Sequence, residues 1–462
     1  MVTVTGRLAE FVSSLSFEQL PQLVVDKAKV ALVHNLGVGI ASFRDPYVQR
    51  MRQAILRLDG NSREKGATIW AYGDQVSPLG AALVNGFMGH RRAQDDTYIA
   101  THVGMMVIPS ALAALETVEH SGKELITGLV AGYEVTAALA GPYTEAVTNR
   151  GFRPSPVLGV FGATAATAKL IGLTAQGIQD ALGHAANFAM GLPECWLEGT
   201  MEWAVQLGMA ARCGMLATYL AESGIPAAPQ AIEGKAGFLR AFTGSTEGYE
   251  TVGSSLGTQW GILDVTFKPF PIGMAAHGPT TATLSLLRRV PVTLNQVESI
   301  ELRMNPYNAN YPGHADKGPF IAPSQALISC PFCVALALAE GKITPTGLDR
   351  FRDPDILATV DKVSVVPDPN LKHLCAQVTL KLTSGQEVTE RFERPMELFS
   401  LNFEQAVNSV KDVLTETNCP MEPMMEAVQF IRELEKQTET KRLLRLLTFA
   451  KEALPGPLDT GW

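Results

Sequence analysis

The chain has 462 residues, a formal net charge of −8, 46% hydrophobic residues and 18% charged residues. Such a length exceeds what one hydrophobic core usually serves, so two or more domains are expected. The apolar excess argues against a disordered chain, and scattered basic residues in an acidic protein give no electrostatic footprint for nucleic acid.

In chain order, the start MVTVTGRLAEFVSSLSF lacks a charged region followed by a long apolar one, so a cytoplasmic protein is expected. Ser16-Phe-Glu-Gln19 reads as a capping box opening a helix through about Val38. Pro109 is taken to start a second helix that ends at Gly122. A third, Glu124–Ala140, is expected to stop at Gly141-Pro142. The stretch around Gly128–Pro142 is the most apolar, but it is short and carries Glu134, so no membrane span is expected. Helices are also predicted over Val157–Leu170, Gln176–Met190, Glu202–Ser223 and Gln230–Phe242, with no strand-rich block before Trp260.

The texture then changes. Thr266-Phe-Lys-Pro-Phe-Pro is a rigid lead-in, followed by a helix from Gly278 to Arg289. Val297–Met304 alternates like a strand, and Ile328–Glu340 reads as an apolar helix. Val360–Val366 reads as a strand, and Gln377–Leu382 with Val388–Phe392 as a hairpin across Thr383-Ser-Gly-Gln. Helical texture returns from Asn402 to Lys451, where ELEKQTETKR reads as a solvated helix face. The predicted fold is mostly α: a large all-helical domain (residues 1–266 and 400–462) plus a smaller α+β lid domain (267–399).

Phosphate-loop, zinc-protease, nucleophile-elbow and calcium-loop signatures are missing from the sequence. No pair among the eight histidines has ligand spacing, so no metal is expected, and Gly159-Val-Phe-Gly162 reads as helix packing and not as a nucleotide loop. The six cysteines are scattered. Cys330 and Cys333 have CxxC spacing, but in an apolar stretch they read as buried packing.

One segment is chemically dense. His90, Arg91, Arg92, Asp95, Asp96, Thr97, Tyr98 and His102 fall within thirteen positions, and an apolar helix-like run comes directly after them. Titratable groups set against a core element are where shifted pKa values and catalysis are expected. Asp95 and Asp96 are adjacent and point in different directions, so one can orient a base while the other caps a helix or pairs with Arg91 or Arg92. Lys268 lies in the proline-locked segment FKPFPIGMAAH, nine residues before His277, and is either snorkelling or held for an anion.

Several segments together carry a family resemblance: NLGVGIAS (35–42), AALVNGFMGH with Asp95-Asp96-Thr97, His102 and IPSALAALE (81–116), GYE (132–134), GFRPSPVLGVFGATAATAKLIGL (151–173), ALGHAANFAMGL (181–192), FKPFP with His277, and ISCPFCVALALAEGKI (328–343). In this order they resemble the MmgE/PrpD superfamily over nearly the full length. The resemblance implies a helical domain built from both chain ends, a lid, and an active site between them. It also implies a homodimer, no metal, no organic cofactor, and a small polycarboxylate substrate on which a proton is removed or moved beside a carboxylate. His90, Asp95, Asp96, Thr97 and His102 match the first catalytic segment, Lys268 the lid lysine, His277 a histidine at that place, and Tyr311 or Tyr307 a substrate-contacting tyrosine.

Four positions depart from the family pattern. Ala93 replaces an aspartate, Arg153 a histidine, Trp203 a lysine, and Gly273 a histidine or cysteine. With Arg91, Arg92 and Arg153 facing inward, carboxylate binding would be moved and not lost. The substrate would then carry fewer carboxylates, or a bulkier part packing on Trp203. The expected activity is that of a lyase with His102 as base or acid, oriented by Asp95 or Asp96, and Lys268 stabilising enolate charge. Epimerisation or isomerisation by the same proton chemistry, and a non-catalytic binding homologue, are the alternatives.

Overall fold

A computed structural model describes residues 2–60, 66–449 and 453–454. The core is a nest of apolar helices. Gly122–Asn149 packs along Pro154–Leu170, which packs on Glu202–Glu222, and that helix in turn meets Pro78–His90 and Gly104–Thr117. Small residues permit the crossings. A Cβ at Gly208 would meet the neighbouring helix at once, the nearest atom being the Leu83 carbonyl oxygen, 2.3 Å away. A Cβ at Gly162 would run into the Thr136 hydroxyl and the Gly132 carbonyl oxygen. Helix Gly122–Asn149 is long and apolar enough to cross a membrane, but its apolar window is 83% buried inside the protein, so packing accounts for that apolarity.

Several element boundaries differ from expectation. Val4–Ser14 is a helix that the sequence pattern did not mark. The Ser16 capping box is present but opens only a 3-10 turn, and Pro21 separates it from the helix Gln22–Ile40. Pro109 lies inside Gly104–Thr117 and Pro142 inside Gly122–Asn149. An internal proline costs a helix about 3 kcal/mol, and burial of Tyr143, Thr144 and Val147 beyond Pro142 offsets it. Only Phe238–Thr243 is helical in the predicted Gln230–Phe242, since Pro229, Gly234 and Gly237 interrupt the rest. Residues of ELEKQTETKR form no continuous helix face. The Gln437 carbonyl accepts from Gly122 N and Thr440 Oγ1 donates to His120 O, so the segment pins the start of the long helix. The predicted helical stretch to Lys451 runs past the described residues after Phe449.

The α+β portion carries a four-stranded sheet in the order Val363–Pro367, Val297–Met304, Ala376–Leu382, Glu387–Phe392. Its first pair is parallel and the others antiparallel. Alternate residues of Ala376–Leu382 are buried, and helix His277–Arg289, itself packed on Cys330–Glu340, covers that side. Cys330 and Cys333 are buried helix residues, as the apolar context predicts, and burial raises both thiols. The chain then returns to the helical body, where Phe403–Glu416 packs on Gln22–Ile40.

The Gly208 crossing gives a direct stability test. Gly208→Ala is expected to lower unfolding free energy by about 1–3 kcal/mol through overpacking, read as a lower denaturant midpoint with unchanged slope.

Candidate active site

Two residues of backbone pairing build the site. Asp96–Thr97 pairs antiparallel with Thr266–Phe267, which sets Lys268 beside the 90–102 segment. The Thr97 and Thr266 hydroxyls meet at 2.8 Å and lock the register. A tight turn comes next, with Tyr98 and Thr101 exchanging backbone hydrogen bonds of 2.8 and 2.9 Å. Ser155, at the start of helix Pro154–Leu170, donates to Ala100 O and accepts from His102 N, which fixes the turn from the other side. The backbone here is strained. Ala93 (φ 50), Ile99 (φ 56) and Leu374 (φ 64) all line the cavity in the left-handed region, which is unfavourable for a β-branched residue such as Ile99.

The adjacent aspartates divide their work. Asp96 accepts from Gly104 N (2.7 Å) and from the Tyr133 hydroxyl (2.6 Å), so it caps the helix Gly104–Thr117 and does not line the cavity. Asp95 is fully buried between two imidazoles. Its Oδ1 lies 2.9 Å from His90 Nδ1 and its Oδ2 2.9 Å from His102 Nδ1, with Lys268 Nζ 4.0 Å away. Burial pushes Asp95 up, but His102, His90 and Lys268 outweigh it and hold the carboxyl well below its usual range. The His102 contact lies off the hydrogen-bond axis, and a small ring rotation would complete it.

The two histidines are not equivalent. His90 Nε2 sits 2.8 Å from Arg153 Nη2, so its lone pair is occupied and its Nδ1 proton faces Asp95. His102 borders the cavity, and its Nε2 has no hydrogen-bond partner among the described residues. Burial lowers His102 to about 4, so it is neutral at neutral pH and free to accept a proton. Lys268 donates to Ala93 O at 2.6 Å, and burial lowers its ammonium to about 8. Arg153 is 2% exposed. Its guanidinium also donates to the Trp203 carbonyl and to Gln206 Oε1, and no carboxylate pairs with it among the described residues. It forms part of the cavity wall.

Other predicted residues lie elsewhere. Arg91 pairs with Asp45 at 2.7 Å, Arg92 with Glu416 at 2.6 Å, and both face a separate groove of about 570 Å³. Trp203 backs His90, with ring centroids 4.9 Å apart, and borders that groove; the tryptophan that lines the cavity is Trp196. His277 is buried outside the cavity, its ring nitrogens 3.0 Å from Gly273 O and 3.2 Å from Phe270 O, so it braces the loop after Lys268. Thr97, Tyr307 and Tyr311 do line the cavity, the last two from the lid. Sequence reasoning missed Ser155, Trp196, Asn308, His314 and His373. His314 was within reach, three residues after Tyr311, whereas nothing around His373 marks it.

His90, Asp95 and His102 come close enough to hold a metal ion, which their sequence spacing did not foretell. Lys268 and Arg153 press two positive charges against the same cluster, which opposes a divalent cation and fits a hydrogen-bonded relay better.

Comparison with known proteins finds two family domains along the chain. Sequence profiles of the MmgE/PrpD N-terminal and C-terminal domains match residues 6–250 and 270–397. The chain belongs to the MmgE/PrpD family. Among curated relatives, a cis-aconitate decarboxylase of Aspergillus terreus (strain NIH 2624 / FGSC A1156) is 26% identical over 421 residues, covering 85% of each chain. Those of Mus musculus and Homo sapiens are 26% and 25% identical, covering 96% of this chain and 93% and 95% of their own. These relatives are lyases, and their similarity supports a decarboxylase- or dehydratase-like family role.

The buried histidines set a pH dependence of stability. Burial lowers His34, His102, His314 and His373 to about 4 and His277 to about 3, all below the ordinary 6.5. The unfolded chain therefore takes up these protons first. Their contribution is complete above pH 6.5 and is lost as pH falls toward 4. Asp96, raised to about 6, and Glu134, raised to about 7, act oppositely but are fewer. The melting temperature is expected to fall steadily from about pH 6.5 to about pH 4.5, as scanning calorimetry across that range would register.

Proposed function

We propose that the protein is a cofactor-independent lyase that removes a proton beside the carboxylate of a small acid. His102 Nε2 takes the proton while Asp95, fixed on its other side by His90, stabilises the imidazolium that forms. Arg153 and Lys268 hold the carboxylate and the negative charge that develops on it as the carbon is deprotonated. Tyr311 and Tyr307, from the lid, contact the substrate or the group that leaves. The observation that carries this reading is the open nitrogen of His102 facing a cavity that also holds an unpaired buried guanidinium. The decarboxylase relatives support a lyase over other uses of the same proton step.

Epimerisation is the second reading. It needs an acid–base group on each face of the carbon, and the lid supplies His314 and Tyr311 to the same cavity. Incubation with a panel of small carboxylic acids in heavy water separates the two. Release of water with loss of the adjacent proton, or of CO2 with a deuteron delivered to the carbon it leaves, supports the lyase, and deuterium in an inverted, otherwise intact acid supports the epimerase.

His102→Ala is expected to lower turnover by about 10²–10⁴-fold with circular dichroism unchanged and a lowered melting temperature, since Asp95 loses a buried partner. Retained activity on the true substrate would remove His102 from its role. Arg153→Lys keeps the charge but loses the fork, and is expected to raise KM roughly 10–100-fold in steady-state assays with a smaller effect on kcat.

A further inference from the structure

We infer that the cavity is built for an acid with a single carboxylate and an uncharged hydroxyl-type group, not for a di- or tricarboxylate. The inference concerns binding, and it rests on the proton-abstraction reading only for the chemistry after binding. Its basis is the charge on the cavity wall. Lys268 and Arg153 supply two positive charges, and Asp95, directly behind His90 and His102, supplies one negative charge. One unit of positive charge is left for the ligand. The lid side of the cavity adds none, since Tyr307, Asn308, Tyr311, His314 and His373 are polar but uncharged, and the rest is apolar. A second carboxylate closed against that side would be buried without a cation, which costs several kcal/mol per ion.

The lid does offer hydrogen bonds. His314 Nδ1 lies 2.6 Å from Asn308 O, so it carries the proton and Nε2 is left as an acceptor. His373 Nε2 is buried and has no partner among the described residues. Its loop is held in place, with Leu374 N donating to Asn308 Oδ1 at 2.9 Å. A wall with free acceptors beside phenolic donors matches a hydroxyl, which both donates and accepts.

The test is calorimetric titration of His102→Ala protein, in which turnover is slowed about 10²–10⁴-fold, with 3-hydroxybutyrate, malate and citrate, and with butyrate as the hydroxyl-free control. The expected result is binding of 3-hydroxybutyrate at least tenfold tighter than malate, no binding of citrate, and a roughly tenfold loss for butyrate. A variant that places a cation at the lid, His373→Arg, is expected to reverse the preference toward malate. Equal or tighter binding of malate or citrate by protein with native His373 overturns the inference, as does failure of 3-hydroxybutyrate to bind. Deuterium exchange by unmodified protein judges the proton-abstraction reading separately. A monocarboxylate that binds without exchanging refutes that reading alone, and a dicarboxylate that binds better and exchanges refutes the inference alone.

Discussion

The carboxylate of Asp95 lies between two imidazoles at 2.9 Å and within 4.0 Å of the Lys268 ammonium, with no access to solvent. A buried charge is tolerated only when its partners are fixed in advance. Every element around the cavity contributes one such fixture. The helix Pro78–His90 delivers His90 at its last residue, the turn at Ile99 delivers His102, and the strand at Thr266–Phe267 delivers Lys268. Arg153 then fits against the far nitrogen of His90, so even the tautomer of that ring depends on where Asp95 stands.

Asp96 shows how the site is tied to the core. Its two oxygens hold the first turn of Gly104–Thr117 and the hydroxyl of Tyr133 in the longest helix, and its backbone pairs with Phe267. Asp95, next to it, turns instead to the two imidazoles that border the cavity and sits behind them.

Much of this is legible in the sequence, and the failures are instructive. The lid strands are clear because period-two alternation survives in a sheet with one covered face. The helix stop expected at Pro142 and the helix start expected at Pro109 do not occur, because tertiary burial outweighs a local penalty that sequence reasoning applies everywhere. The 90–102 segment stands out because acid, base and cation are concentrated in it. Direction is not legible: Arg91 and Arg92 turn to Asp45 and Glu416, carboxylates distant in sequence. The sequence pattern makes Trp203 the aromatic wall, yet Trp196 fills that place, since a position seven residues away can reach the same volume from a different turn. His373 is beyond reach, because a lone histidine in a loop carries no pattern until the fold gives it neighbours.

The return of Phe403–Glu416 to Gln22–Ile40 bears on how the protein is made. The helix Gln22–Ile40 is made about 360 residues before its partner surface at Phe403–Glu416, and Lys268 arrives long after His102. A growing chain thus carries an apolar helix with an uncovered flank through most of its synthesis, and it has no assembled pocket before the lid lead-in has been translated. Such late closure of distant contacts slows folding and leaves sticky surface exposed meanwhile.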